Sequence, residues 1–250
     1  LEPNSGEQAC GEVGVGRMQE PYQIAAHVCS YFSGLNHAIF RNKTIMITAG
    51  PTQEVIDPVR YITNHSSGKM GYALAERAHE LGANVFLISG PVTLSCSSGI
   101  TRIDTQTAAE MREAVMAHID KVDIFIGAAA VGDYRVENVA TNKIKKCDKL
   151  TLTLIKNPDI LAEVAALETC SFVVGFAAET ENTVEYARQK LIQKKVDMIV
   201  ANSVGQPHQG FYAENNSGWL ITANETHQLP LMSKKQMADE ILQKVYKNAL

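Results

Sequence analysis

KTIMITAGP at residues 43–51, GKMGYALAERAHELG at 68–82 and NVFLIS at 84–89 together decide the fold. Lys43–Thr48 is a short β-branched run that stops at Ala49-Gly50-Pro51, the pattern of a buried strand and a turn. In the second piece Ala73, Leu74, Ala78 and Leu81 recur at helical spacing, and Gly82 stops the helix. Asn84–Ser89 then reads as a second strand. Strand, helix, strand in that order is the unit of a parallel sheet.

The same alternation continues outward. Ile100–Asp104 predicts a third strand and Thr107–Asp120 a helix. Asp123–Ala130 (DIFIGAAA) predicts a fourth strand, apolar on both faces as a helix-covered strand must be. Lys149–Lys156 (KLTLTLIK) alternates strictly, which predicts a strand with one wet face. Asn157-Pro158-Asp159 opens a helix, with proline near its first turn. Ser171–Phe176 and Val196–Ala201 read as strands around a helix at Thr180–Lys195; Trp219–Thr222 is short, and Lys234–Tyr246 closes as a helix. Thr52–Ser67 reads as a long loop. The expected fold is α/β: a Rossmann-like, doubly wound, mostly parallel sheet with helices on both faces. Its ligands should sit outside the carboxyl ends of the strands.

Composition narrows the classes. In 250 residues 45% are apolar and 20% charged, the balance of a globular chain. The net charge of −4 supplies no global basic field for nucleic acid. No run approaches the roughly 20 apolar residues of a membrane span. Five cysteines, Cys10, Cys29, Cys96, Cys147 and Cys170, stand at wide spacings without a C-x-x-C pair. Zinc sites and disulfide frameworks are therefore not expected, and a reducing cytoplasm is. Residues 1–40, with four glycines from Gly6 to Gly16, show no self-sufficient core and are separated from a domain at 41–250.

Two default sites for this fold fail. A dinucleotide site needs G-x-G-x-x-G after the first strand and a carboxylate after the second. Here the first turn is TAGPTQE, and the second strand ends in Ser89-Gly90-Pro91. A phosphate loop needs G-K-[ST], whereas Gly68-Lys69 precedes Met70. Three constellations remain. Arg60, Asn64, His65, Ser66, Ser67, Gly68 and Lys69 stand before a helix start, as an anion site or as an ordinary capping loop. Ala128-Ala129-Ala130-Val131-Gly132-Asp133 ends the fourth strand. It has room for a flat ring, amides able to read a base edge, and in Asp133 a ligand for a hard cation or simply a turn former. The third is basic: the run Lys143-Ile144-Lys145-Lys146, and Lys190 with Lys194 on one helical face. Both read most simply as solvated surface, the pair with Glu185 and Arg188 nearby.

Taken together, GPTQEVIDPVRYITNHSSGKMG, AAAVGDYR, KIKK, KNPDI, VGFAAET and ANxxxxPxxGF resemble the phosphopantothenate–cysteine ligase family of coenzyme A biosynthesis, from about Lys43 to the C-terminus. ACGEVGVGRMQEP resembles the end of a phosphopantothenoylcysteine decarboxylase domain, the flavoprotein fused upstream of the ligase in bacteria. The resemblance implies a reaction of 4′-phosphopantothenate, L-cysteine and CTP through an acyl-cytidylate, giving CMP and pyrophosphate. It implies magnesium as metal, FMN only in the upstream domain, and a homodimer joined through a small strand extension. It gives Asn64 the activated acyl group, with Arg60 supporting its loop. Gly127, Ala128 and Ala129 line the nucleotide, and Asp133 meets it through the metal. Lys143 reaches the triphosphate, from the partner subunit if the KIKK segment lies at the interface. Asn157, Pro158, Asp159 and Ile160 bring a helix start beside the nucleotide, Phe176 packs near cytidine, and Lys190 with Lys194 completes a cationic wall. Cys10 matches the decarboxylase's catalytic cysteine and is expected to be idle here. Gly132 stands where many relatives carry alanine, and the Cys147-Asp148-Lys149 segment is short for the family. A dehydrogenase and a non-catalytic scaffold for the flavoprotein are the competing functions, separated by NADH against CTP titration and by pyrophosphate release.

Overall fold

A computed structural model describes residues 4–7, 13–19, 21, 24–25, 38–167, 169–179, 181–203 and 213–249. Cys10 and Cys29 lie outside the described residues, as do most of the segment expected to be separate and residues 204–212 of the ANxxxxPxxGF run. An N-terminal hairpin, β1 Asn4–Glu7 with β2 Val13–Arg17, forms a small sheet of its own.

The elements that follow are β3 Thr44–Ala49, β4 Gln53–Asp57, β5 Arg60–Thr63, α1 Lys69–Glu80, β6 Asn84–Ser89, β7 Thr101–Asp104, α2 Ala108–Met116, β8 Ile124–Gly127, β9 Tyr134–Val136 and β10 Leu154–Lys156. After them come α3 Ile160–Ala165, β11 Phe172–Glu179, α4 Thr183–Lys194, β12 Met198–Ser203, β13 Asn215–Thr222, β14 Thr226–Ser233 and α5 Lys234–Ala249. The central sheet runs β14-β13-β12-β11-β8-β3-β6-β7. Its pairings are parallel from β12 to β7 and antiparallel at β12–β13 and β13–β14. Among the parallel strands the chain steps outward one way from β3 and then starts again at β8 on the other side. This reversal is the switch point at which such sheets open a crevice. The expected mostly parallel, doubly wound architecture is the one observed.

Two cores cover the sheet. On one face Ile45, Ile47, Ile124, Ile126 and Val174 meet α1 and α5; on the other Met46, Phe125, Val173 and Ile199 meet α2, α3 and α4. The period-2 alternation of Ile45, Met46 and Ile47 thus feeds both faces, which is why the strand is apolar throughout. Phe40 is also fully buried in the first core and meets Tyr246 edge-on at 6.0 Å. The packed unit therefore begins at or before residue 40.

Three expectations are corrected. Thr52–Ser67 contains a hairpin, β4 with β5, rather than a continuous loop. Its buried inward positions are carboxylates, Glu54 and Asp57, so hydrophobic alternation does not reveal it. Glu54 Oε1 accepts from the Ala108 amide at 2.9 Å, at the start of α2. Lys149–Lys156 pairs only over Leu154–Lys156, against β9. Its apolar row is left uncovered within one chain, with Leu150 and Leu154 exposed. The Trp219–Thr222 strand extends back to Asn215, and β14 follows it unpredicted. Pro230 interrupts that run, and proline is tolerated there because β14 is an edge strand.

Candidate functional site

At the carboxyl ends of β3, β8, β11 and β12 lies a crevice of two adjoining compartments, with volumes of about 170 and 470 Å³. The smaller is lined by Gly127, Val131, Gly132, Lys156 to Leu161 and Lys194, among others. The larger is lined by Asn64 to Gly71, Ala128, Ala130, Ala177, Ala178, Asn202, Asn216 and Lys234. Ala129, Asp133, Phe176 and Lys190 line both.

The floor is the loop from Ala128 to Asp133, and the strands around it fix its backbone. The amides of Ala128, Ala129 and Ala130 donate to Thr48 O, Thr48 Oγ1 and Gly50 O at 3.2, 3.2 and 2.8 Å. The Gly132 amide donates to Thr52 Oγ1 at 2.9 Å. Asn157, only 5% exposed, donates its side-chain amide to Gly132 O and its backbone N–H to Asp133 O, both at 2.8 Å. These amides are consumed by the fold, so of the N–H and C=O groups expected to read a base edge at Ala128 to Ala130, the carbonyls are left for that role. The small side chains of the loop leave room for a flat ring beside those carbonyls.

The loop before α1 faces the crevice. Gly68 sits at the N-cap with φ +75°, a left-handed conformation that glycine adopts without strain. Ser66 Oγ accepts from the Gly68 amide at 3.3 Å, and Ser67 Oγ from the Lys69 amide at 3.4 Å. Asn64 reaches across, its Nδ2 donating to Val131 O at 3.0 Å. The N-cap is thus Gly68, without a side-chain cap bond, which corrects the reading of Ser66 or Ser67 as the cap; both serines line the crevice instead.

Arg60 and Lys143 fall elsewhere. Arg60 closes on Asp57 through its Nε at 3.0 Å and donates to Ile144 O at 3.1 Å, while the Ile144 amide donates to Asp57 Oδ2 at 3.1 Å. The Arg60 guanidinium beside Asp57 holds that carboxyl well below the usual carboxylate range against the opposing effect of burial. The pair therefore stays ionised at any pH above about 4, and its stabilisation is lost only as acid protonates Asp57. Arg60 thus anchors the KIKK segment, and neither it nor exposed Lys143 lines the crevice of its own chain.

Lys190 and Lys194 are drawn inward, which corrects their reading as a wet face. Lys190 Nζ donates to Phe176 O at 2.7 Å, and Lys194 pairs with Asp159. Equal helical phase puts both on one side of α4, and that side is turned toward β11 and the start of α3. Burial pushes the Asp159 carboxyl up, but Lys194 and the Ala162 amide, which donates to Asp159 Oδ1 at 3.0 Å, bring it below its ordinary value. Asp159 is thus committed to capping and pairing, while Asp133 stands exposed at the junction. Among the described residues no three His, Cys, Asp or Glu side chains cluster as a metal cage. Magnesium needs none, since it takes one or two carboxylates and completes its shell with water and substrate phosphates. Asp133 fits that donor set.

Sequence reading put Lys69 in the candidate anion loop and Asn202 at a strand end, but assigned no role to Asn216 or Lys234, which also line the larger compartment. Lys69 pairs with Glu214. Asn216 and Lys234 are 3% and 7% exposed. Burial first, and then Lys69, push the Lys234 ammonium below its ordinary range, while Glu214 opposes them. A signal was present: Lys69 and Lys234 each begin a helix, where the macrodipole disfavours a cation.

Known proteins resemble this chain in sequence and fold. The pattern of the DNA/pantothenate metabolism flavoprotein C-terminal domain matches residues 40–249. The coenzyme A biosynthesis bifunctional protein CoaBC of Vibrio cholerae is 51% identical over 248 residues, 98% of this chain and 61% of that protein. The chain thus spans about three-fifths of the length of that relative. The crystal structure of the C-terminal domain of a CoaBC protein is 40% identical with a TM-score of 0.72, over 84% of this chain and 97% of that one. A Cab2 mutant in complex with phosphopantothenate-cysteine, only 16% identical, shares the fold at a TM-score of 0.68 over 92% of this chain and 95% of that one. By the extent of these matches, the chain belongs to the DNA/pantothenate metabolism flavoprotein C-terminal domain family.

Proposed function

We propose that this chain joins 4′-phosphopantothenate to L-cysteine at the expense of CTP, giving phosphopantothenoylcysteine, CMP and pyrophosphate. Its chief support is that Asn64, the alanine floor, Asp133 and lysines at both ends line one crevice, in a chain of this family. The relatives' shared name in coenzyme A biosynthesis and the Cab2 complex agree with it.

The chemistry suits the residues. The pantothenate carboxylate attacks the α-phosphorus of CTP, an O–P bond forms, and pyrophosphate leaves. The cysteine amine, after losing a proton, attacks the acyl carbon of the resulting cytidylate, and CMP departs. Both partners of the first step are anionic, so rate comes from neutralising charge and holding the two in line. Lys190 and Lys194 bring positive charge to the smaller compartment beside Phe176 O and Asp159. Asn64, steadied by Val131 O, directs its second N–H to the acyl oxygen. Gly127, Ala128 and Ala129 leave space for the nucleotide, Phe176 flanks the cytosine, and Asn157 to Ile160 wall the far side. Asp133 would hold magnesium, which would supply neutralisation of part of the triphosphate charge.

The parent protein carries a flavin decarboxylase domain upstream, works in the cytoplasm, and pairs as a homodimer. Support for the pairing is the number of large apolar side chains exposed on the two hairpins and the segment joining β9 to β10: Val59, Tyr61, Tyr134, Val139, Leu150 and Leu154. On that dimer Lys143 serves the partner's crevice.

Pyrophosphate release, measured with each of the four nucleoside triphosphates plus phosphopantothenate and cysteine, tests the activity. CTP should be preferred, and no release with any of them refutes the ligase. Asp133→Asn should weaken magnesium-dependent CTP binding roughly tenfold or more, the scale of one charge-assisted contact. An unchanged CTP affinity removes Asp133 from the metal site.

A further inference from the structure

The motif AAAVGDYR ends in an arginine that the ligase reading leaves without a role. Arg135 lies in β9, paired with Ile155 of β10, and lines neither compartment of the crevice. The antiparallel pairing brings it beside the end of β10. There its guanidinium donates to Lys156 O at 3.1 Å and to Asn157 Oδ1 at 3.0 Å. Asn157 in turn holds the turn that carries Asp133. Its Nδ2 donates to Gly132 O and its backbone N–H to Asp133 O. Arg135, Asn157 and Gly132 O thus form a chain of hydrogen bonds that starts outside the crevice and ends in its floor.

Both ends of that chain are one-sided. A guanidinium only donates and a carbonyl oxygen only accepts. The Asn157 amide therefore fits in one orientation, with oxygen toward Arg135 and nitrogen toward Gly132 O. Turned by half a revolution, it would set oxygen against oxygen and N–H against N–H. Asn157 is buried, so without the arginine its Oδ1 would be an acceptor stripped of its donor. Entry of water or movement of the neighbours relieves such a group, and the neighbours here are Gly132 and Asp133. Resting on the ligase reading, we infer that Arg135 is a positioning residue for the nucleotide. Through Asn157 it holds the Gly132–Asp133 turn where Asp133 can serve the metal, and it takes no part in the bond-making steps.

Arg135→Met keeps most of the side chain's length and removes its donors. In the chain without ligands, the Gly132 and Asn157 amide hydrogens should exchange roughly tenfold faster, while those of β3 and β8 keep their rates. In calorimetric titration with magnesium present, the variant should bind CTP roughly 5–50-fold more weakly, the scale of one buried acceptor left without its donor. With magnesium chelated, its CTP affinity should match that of the unaltered chain. Arg135→Lys should recover most of the loss. On an Asp133→Asn background, Arg135→Met should add less than about twofold, because both act on one group. If Arg135→Met does not fold, Arg135→Gln, whose shorter amide still donates, should show the same pattern on a smaller scale. Unchanged exchange at Gly132 and Asn157 overturns the inference, as does an unchanged CTP affinity with magnesium. A loss of equal size with and without magnesium also overturns it, since Arg135 would then act on the phosphates directly. Faster exchange in the variant, with no CTP binding by the unaltered chain, would refute the ligase reading and leave the hold on the turn standing.

Discussion

Lys143→Gln and Asn64→Ala chains should each release pyrophosphate roughly 10²–10³ times more slowly than the unaltered chain, the scale of a lost oxyanion donor. An equimolar mixture should regain about a quarter of full activity, if subunits reassort around a twofold axis. Asn64 lines the crevice, but Lys143 rides on a segment pinned by Asp57 and Arg60 outside it. In a mixed dimer one crevice receives an intact Asn64 from its own chain and an intact Lys143 from the other, while its twin receives neither. Half the dimers are mixed and half their crevices are whole, hence about one quarter. A mixture as slow as its components would place Lys143 in the same chain as its crevice. Near-normal turnover by Lys143→Gln alone would take that lysine out of the chemistry.

Gly90→Ala should be the most damaging small change to the fold. A Cβ there would stand 1.8 Å from Pro51 O and 2.8 Å from Pro51 C, both backbone atoms. The Gly90 amide also donates to Ala49 O at 2.9 Å, so β6 cannot slide away without breaking its register with β3. The cost should reach or pass ~3 kcal/mol, the upper end of ordinary overpacking, in a chain whose total stability is about 5–15 kcal/mol. Gly132→Ala is the control. Its added carbon would meet the Glu54 Cγ at 3.2 Å, a side-chain atom that need give by only a few tenths of an ångström despite its tie to the Ala108 amide, so about 1 kcal/mol is expected. Urea unfolding followed by circular dichroism reads both. Equal midpoints for the two variants would contradict the close approach of β6 to Pro51.

The sequence is most legible where burial and residue type agree. β3, β6, β8, β11 and β12 are buried on both faces, so apolar runs mark them without ambiguity. The β4–β5 hairpin escapes because its inward positions, Glu54 and Asp57, are satisfied by the Ala108 amide and by Arg60. No periodicity of hydrophobic residues records such partners. The cationic end at Lys190 and Lys194 is half legible. Spacing puts the two on one face, but only tertiary packing tells which neighbour that face meets. Lys234 and Asn216 are brought to the crevice by β13 turning back antiparallel beside β12, a step that local pattern does not encode.

The hydrogen bonds that lock the alanine floor to β3 have a consequence for kinetics. Thr48, Gly50, Thr52 and Asn157 hold that loop without help from any ligand. Association therefore freezes little main chain, and its entropic toll falls on the incoming molecules and the long cationic side chains. Encounter should be quick, and any sluggish event in a turnover belongs to bond exchange or to the departure of products.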